Sequence, residues 1–233
     1  MKERPILFSG AMVRALLDGS KTQTRRPVKW RHVDPGLNMQ FSGLVAYSYV
    51  SGQATLEAAV RNGVERRSQP TVGPYGVPGD QLRVKEAAWM WCERRPNGKT
   101  KTGRQKWLYA PMPEAPVFYA ADHAEKPTIS VVSLDTGNVW GWRLKIGRFL
   151  PAWASRIYLE VTALRVERLN ACSVSDAMSE GVFTWWRETE QNASDHAAPP
   201  VIFRDLWESI NGAGSWDDNP WVWVVEFKRV AAC

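Results

Sequence analysis

The chain is poor in the residues that carry most disulfide and metal chemistry, with three cysteines and three histidines among 233 residues. Cys92, Cys172 and Cys233 are widely separated and odd in number, so they build no disulfide framework and point to a reducing compartment. His32, His123 and His196 sit in unrelated segments without ligand spacing, which disfavours a metal hydrolase and predicts no metal site. A glycine-rich phosphate loop with a downstream lysine is missing, and no cofactor is implied. No apolar run approaches membrane-spanning length, and the opening Met1-Lys2-Glu3-Arg4-Pro5 lacks the apolar region of a secretory signal. Internal repeats and low-complexity segments are absent as well. Together these absences predict a cytoplasmic protein without a membrane partner.

What is present suits a real core. Apolar residues make up 44% of the chain, enough for one large domain or two small ones. Thirteen tryptophans are many, and most belong in a core or a pocket wall. Thirty cations against 24 carboxylates leave a net charge of +6. That modest bias suits an anionic or nucleotide partner and predicts weak RNA binding.

One stretch concentrates chemistry. Met12 and Leu16, and Val13 and Leu17, are i,i+4 pairs on a short helix, and Gly19 is placed to end it in a left-handed conformation. Lys21, Arg25 and Arg26 then follow, with Thr22 and Thr24 alternating as in a strand. A threonine hydroxyl becomes a nucleophile when a neighbour takes its proton, and a lysine is that neighbour if burial or nearby cations lower its pKa. For Lys21 to cooperate with Thr24, it must precede the strand or be separated from it by a bulge. The alternative is a basic turn whose charges are simply solvated.

Further along, residues 28–70 read as an insertion with a strand at 41–49 and a weak helical pattern at 52–65. Residues 81–87 form a strand, and Glu86 at its end either faces inward beside a substrate amine or pairs with a surface cation. Residues 93–106 read as an exposed, basic, mobile loop, most simply a solvated hairpin tip. Short strands are expected at 118–121 and 128–134, and cations interleave with Trp142, Phe149 and Trp153, of which Trp153 is assigned to the core. Alternation at 156–169 gives a bent strand or strand pair, and Ser173 with Asp176 makes an N-cap for a short helix ending at Gly181. Glu180 sits in its last turn, where the helix dipole favours a protonated carboxyl. Trp185-Trp186 either wall a pocket or pack in the core. A loop at 191–200, an amphipathic helix at 201–210 on Ile202, Leu206 and Ile210, and a strand at 221–230 close the chain.

Gly19-Ser20-Lys21-Thr22-Gln23-Thr24-Arg25-Arg26 resembles the Gly-x-Lys-x-x-Thr-x-Arg signature of the ASCH domains, in the PUA-like superfamily. Pro78-Gly79-Asp80-Gln81-Leu82-Arg83-Val84 is similar to a second family block. So are Ile157 to Thr162 followed by Ser173 to Gly181, and Trp223 to Phe227. The segments Arg4 to Gly10 and Ile210 to Trp216 are similar to those of longer ASCH-type proteins of phages and prophages. The resemblance implies an α+β fold, a PUA-like mixed β-barrel flanked by short helices, as one domain over 1–233 with insertions at about 28–70 and 90–150. Some members hydrolyse the exocyclic amide of N4-acetylcytidine and related N4-acylated cytosines. The resemblance therefore implies a small modified pyrimidine base or nucleoside as partner. Lys21 would be the base and Glu180 the proton donor, with Thr24 the nucleophile or, where a Lys21-activated water attacks, only an orienting group. Arg26 and Glu86 are expected to bind substrate. The alternatives are an RNA- or modified-base-binding module without catalysis, and a ribonuclease.

Overall fold

Alternating apolar residues and turn signals dominate this sequence, and strands dominate the structure. The computed structural model describes residues 1–49, 51–61, 63–122, 127, 130–132, 139–189 and 198–231. His123, His196, Cys233 and most of the expected loop at 191–200 lie outside the described residues, as do four positions of the expected strand at 128–134.

The chain opens with β1 (Glu3–Leu7), α1 (Gly10–Leu17) and β2 (Gln23–Pro27). The 28–70 stretch supplies β3 (Leu44–Ser48), β4 (Gln53–Val60) and β5 (Gly63–Arg66), followed by β6 (Thr71–Val72) and β7 (Gln81–Lys85). Next come β8 (Ala88–Lys99), β9 (Gln105–Pro111), β10 (Val117–Tyr119), β11 (Ser130–Val132) and β12 (Val139–Lys145). The chain ends with β13 (Tyr158–Arg168), α2 (Val174–Ser179), α3 (Val182–Thr189), α4 (Pro199–Asn211) and β14 (Trp221–Val230). The fold is mixed α+β. Its sheets run β1-β7-β13-β14-β2, β10-β8-β12-β11 with β9 on β8, and β3-β4-β5 with β6 on β4. Among the described residues none of these sheets closes into a barrel.

The chain divides into two compact units. The first comprises Met1–Pro5, Ala15–Arg83 and Ile157–Cys233, and the second Ile6–Arg14 and Val84–Arg156. In the first, β14 is an inner strand, paired antiparallel with β13 on one side and β2 on the other. Val222 to Val225 and Phe227 are accordingly buried, as expected of a strand covered on both faces. A register shift between Val161 and Ala163 bends β13, which is the bend the sequence indicates. A satellite core joins Leu44, Leu56 and Ala58 to Trp221. In the second unit Ala88, Met90 and Cys92 of β8 pack with Leu150 and Ala154.

Four expectations need correction. The 52–65 stretch is the β4–β5 hairpin rather than a helix, because Ala54, Leu56 and Ala58 alternate inward and pair with β3. At 93–106 the hairpin is there, but strand extends through most of the segment as the arms of β8 and β9 and leaves only a short tip. Trp153 is 45% exposed in a short 3-10 turn set by Pro151, not core. On α4 the buried stripe is Ile202, Phe203, Leu206 and Trp207, with Ile210 exposed. The helix α3, which carries Trp185 and Trp186, was not anticipated.

Candidate functional site

The site begins with a cap. The Ser173 hydroxyl accepts from the Asp176 backbone N–H at 3.1 Å, and Asp176 accepts in turn from the Ser173 N–H at 3.1 Å. This capping box contributes about 1 kcal/mol and fixes the start of α2. One and a half turns later the helix closes on Glu180, its C-cap residue. Gly181 then turns at φ +73°, where a Cβ would lie 2.7 Å from the Ala15 Cβ and 2.9 Å from the Lys21 Cβ. Only glycine permits both the turn and the close approach.

That approach makes a two-residue bridge. Lys21 and Glu180 pair antiparallel outside the named strands. The Thr22 N–H donates to the Ser179 carbonyl at 2.8 Å, and the Lys21 N–H donates to Ala15 at 2.9 Å. Phe227 donates to Thr22 at 2.9 Å and joins the same backbone to β14. Lys21 therefore precedes β2, held on both sides, before any side chain is considered.

The side chains complete the pair. Lys21 Nζ donates to the Glu180 carbonyl at 2.8 Å and to Glu180 Oε2 at 2.9 Å, with the two side chains 2% and 4% exposed. Arg25 Nη1 lies 3.4 Å from the other Glu180 oxygen. Arg25 Nη2 binds Glu167 at 2.6 Å and stands 3.4 Å from Asp176, and its guanidinium lies 5.8 Å from the Phe203 ring centre. Arg165 extends the network through Glu167, Asp176 and Glu226. Breaking a buried pair of this kind by deleting one partner costs roughly 3–5 kcal/mol, because the survivor keeps an uncompensated charge.

Electrostatics tune the lysine. Burial holds the Lys21 ammonium below the ordinary lysine range. Glu180 opposes that shift, while Arg26 and Arg25 add to it. At Asp176 burial works against ionisation but is outweighed by hydrogen bonds from Ser173 and Gln23 and by Arg25, so the carboxyl stays well below the usual range. Burial pushes the Cys172 thiol up to about 12 despite Arg25, which leaves it protonated at neutral pH.

Thr24 is buried on β2, opposite Val225. Gln23 and Arg25 turn toward Asp176 and Glu180, so strand alternation sends Thr24 and Arg26 to the other face of β2. Arg26 stands opposite Trp223, and its charge is felt both at Lys21 and at the half-buried Tyr75 phenol, whose pKa burial raises. Tyr75 and Trp223 line a cavity of about 330 Å³ with Pro27, Thr71 and Pro74. That volume falls in the range of small-molecule pockets.

Glu86 belongs to the second unit and is clamped there. Its oxygens accept from Arg156 at 2.9 and 3.1 Å, and Arg156 also binds Asp122 and covers the Tyr119 ring at 3.9 Å. Burial raises the Glu86 pKa, Arg156 opposes the rise, and Asp122 adds to it.

Thus the structure joins Lys21 to Glu180, places Thr24 and Arg26 on the other face of β2 from Gln23 and Arg25, and gives Glu86 an arginine partner. It adds Arg25, which the sequence reading passed over for Arg26. The available signal was parity: Lys21, Gln23 and Arg25 share one alternation. Among the described residues no three His, Cys, Asp or Glu side chains are grouped to hold a metal ion. No helix of the described residues is long and apolar enough to cross a membrane. No family model, curated protein or solved structure matches the chain.

Proposed function

We propose that this chain is an ASCH-type amidohydrolase that cleaves the exocyclic amide of N4-acylated cytosine or cytidine. The observation that carries the reading is the buried Lys21–Glu180 pair at 2.9 Å. Moving one proton across that bridge turns an ion pair into a neutral amine and a neutral acid. Those are the two partners amide hydrolysis needs, a base for the nucleophile and an acid for the leaving amine. Burial holds the Lys21 ammonium below the ordinary lysine range, which brings surrender of that proton closer.

In the proposed cycle Lys21 takes the Thr24 hydroxyl proton as the oxygen attacks the acyl carbon. Glu180 protonates the exocyclic nitrogen as the C–N bond breaks, and the free amine of cytosine or cytidine leaves. Water, activated by the pair, then hydrolyses the threonyl ester to the carboxylic acid. Arg26 steadies charge on the tetrahedral oxygen, and the cytosine ring rests against Tyr75 and Trp223. A second route suits the alternation that sends Thr24 to the other face of β2 from Gln23 and Arg25: Lys21 activates water directly and Thr24 orients the acyl group.

The same reading covers the fold. The four stretches that resemble ASCH proteins fall on β2, on β7, on β13 with α2, and on β14, all in or beside one sheet. This supports a PUA-like core enlarged by inserted hairpins.

The test is incubation of the purified protein with N4-acetylcytidine and, separately, with a short RNA, followed by chromatography and gel. Cytidine and acetate are expected, with loss of turnover in Lys21→Ala and in Thr24→Ala. Wild-type turnover in a folded Lys21→Ala variant would remove that residue from the chemistry. Mass spectrometry of quenched reactions separates the two routes, since only the first leaves an acetyl group on Thr24.

A further inference from the structure

The net charge of the chain is not spread over it. Residues 93–108 carry Arg94, Arg95, Lys99, Lys101, Arg104 and Lys106 against the single carboxylate Glu93, so this segment holds +5 of the chain's +6. These residues form the β8–β9 hairpin. Among the described residues β12 pairs with β8 from Ala88 to Glu93, and from Arg94 onward the ribbon pairs with itself. Its tip is well formed, with the Thr100 N–H donating to Arg104 at 2.8 Å, the Arg104 N–H to the Thr100 hydroxyl at 3.0 Å, and the Gln105 amide to Gly98 at 2.8 Å. Arg95 is neutralised by Glu93 at 2.6 Å. Lys99, Lys101, Arg104 and Lys106 are exposed and have no ion pair among the described residues.

One face of the ribbon adds aromatics to these charges. The register puts Arg94, Trp107 and Tyr109 on the same side. The Arg94 guanidinium lies 4.2 Å from the Trp107 ring centre, and Arg143 lies 4.3 Å from the Tyr109 ring centre. Trp107 is nevertheless 47% exposed, and Arg94 Nε is buried without a hydrogen-bond acceptor. A planar ladder of rings and guanidinium groups, flanked by uncompensated cations, matches the two needs of an unpaired polynucleotide. Bases need flat partners, and phosphates need positive charge. Base-paired nucleic acid offers no free ring faces to Trp107, so the ladder favours a single strand.

We propose that the β8–β9 hairpin binds single-stranded nucleic acid. Lys99, Lys101, Arg104 and Lys106 contact phosphates, and Trp107 with Arg94 stacks on bases. The site is independent of the proposed hydrolase chemistry, and it makes RNA contact a property of one hairpin rather than of the protein's overall charge.

The experiment is fluorescence anisotropy with labelled 12-nucleotide oligo(U), oligo(dT) and a duplex of equal length, at several salt concentrations. The whole protein is expected to bind both single strands at roughly micromolar Kd in low salt, weakening steeply as salt rises. Tighter binding of oligo(U) would identify RNA as the ligand, and tighter binding of oligo(dT) would identify DNA. Replacing the four exposed cations by glutamine should weaken binding at least tenfold at low salt and flatten the log–log salt slope by about 3. Trp107→Ala should weaken binding several-fold and leave the slope unchanged. Both variants alter exposed positions, and circular dichroism checks their fold. N4-acetylcytidine turnover, if the wild type has it, should be the same in both, so failure of one reading leaves the other standing. Absence of binding, wild-type affinity in the glutamine variant, or equal binding of the duplex overturns the proposal.

Discussion

Two buried carboxylates, one in each unit, have opposite fates. Glu86 is held by two hydrogen bonds from Arg156, which continues to Asp122 at the surface. Glu180 is held by Lys21, with Arg25 behind it. An arginine stays charged at any pH a protein survives, so the Glu86 clamp can only be kept or broken. A lysine can surrender its proton, so the Glu180 pair has a second state one proton away. Similar burial and similar geometry therefore yield a strut in one unit and a candidate acid–base couple in the other. The difference lies in the partner cation.

The largest effect that would sharpen this contrast is on turnover. Glu180→Gln should fold and lose N4-acetylcytidine hydrolysis by several orders of magnitude, as loss of one member of a catalytic unit commonly does. Glu86→Gln should retain far more activity. If steady-state rates show Glu86→Gln as the worse variant, the roles of the two carboxylates have been exchanged.

Gly181→Ala comes next. It forces a side chain into φ +73° and against Lys21, and it should cost about 2–4 kcal/mol in denaturant unfolding while lowering turnover. Unchanged stability would mean that the Lys21–Glu180 bridge tolerates a wider turn than the structure gives it.

Arg156→Ala follows. It leaves Glu86 without its clamp and should destabilise by roughly 2 kcal/mol, less than a fully buried pair because Arg156 reaches solvent. Its pH dependence has a definite sign. The Glu86 pKa is raised on folding, so wild-type stability falls as pH rises from the ordinary carboxylate range through the raised value. Glu86→Gln should abolish that decline.

The smallest effect is expected at Asp176, and it has the opposite sign. Its pKa is lowered on folding, so it contributes stability above the ordinary carboxylate range that is lost as pH falls below it. Asp176→Asn should cost about 1–2 kcal/mol at neutral pH and flatten the acid limb of the stability curve. An unaltered acid limb would show that Asp176 is not held by Ser173, Gln23 and Arg25 as described.

How much of this was legible in the sequence depended on range. The Ser173–Asp176 cap, the left-handed turn after α1 and the bend in β13 are local devices, and local spacing revealed them. The 52–65 stretch misled because Ala54, Ala58 and Ala59 favour helix, whereas pairing with β3 and β5 decides for strand. Trp153 misled because a bulky ring carries no label for inside, and the turn at Pro151 turns it outward. The Lys21–Glu180 contact spans 159 residues, so no local rule could supply it. Resemblance to ASCH proteins named the two residues, and the antiparallel bridge brings them together. Arg25 was missed although it shares the alternation of Lys21 and Gln23, because that parity gains meaning only once Glu167, Asp176 and Glu180 are brought to the same face.

The most direct test of the Lys21–Glu180 couple is the pH dependence of kcat/KM for N4-acetylcytidine, in the wild type and in Glu180→Gln. The account predicts a bell-shaped profile for the wild type, with limbs that belong to the pair as a whole, and no measurable limb or turnover in the variant. Absence of hydrolysis by the wild type at every pH, or an unchanged profile in Glu180→Gln, would contradict it.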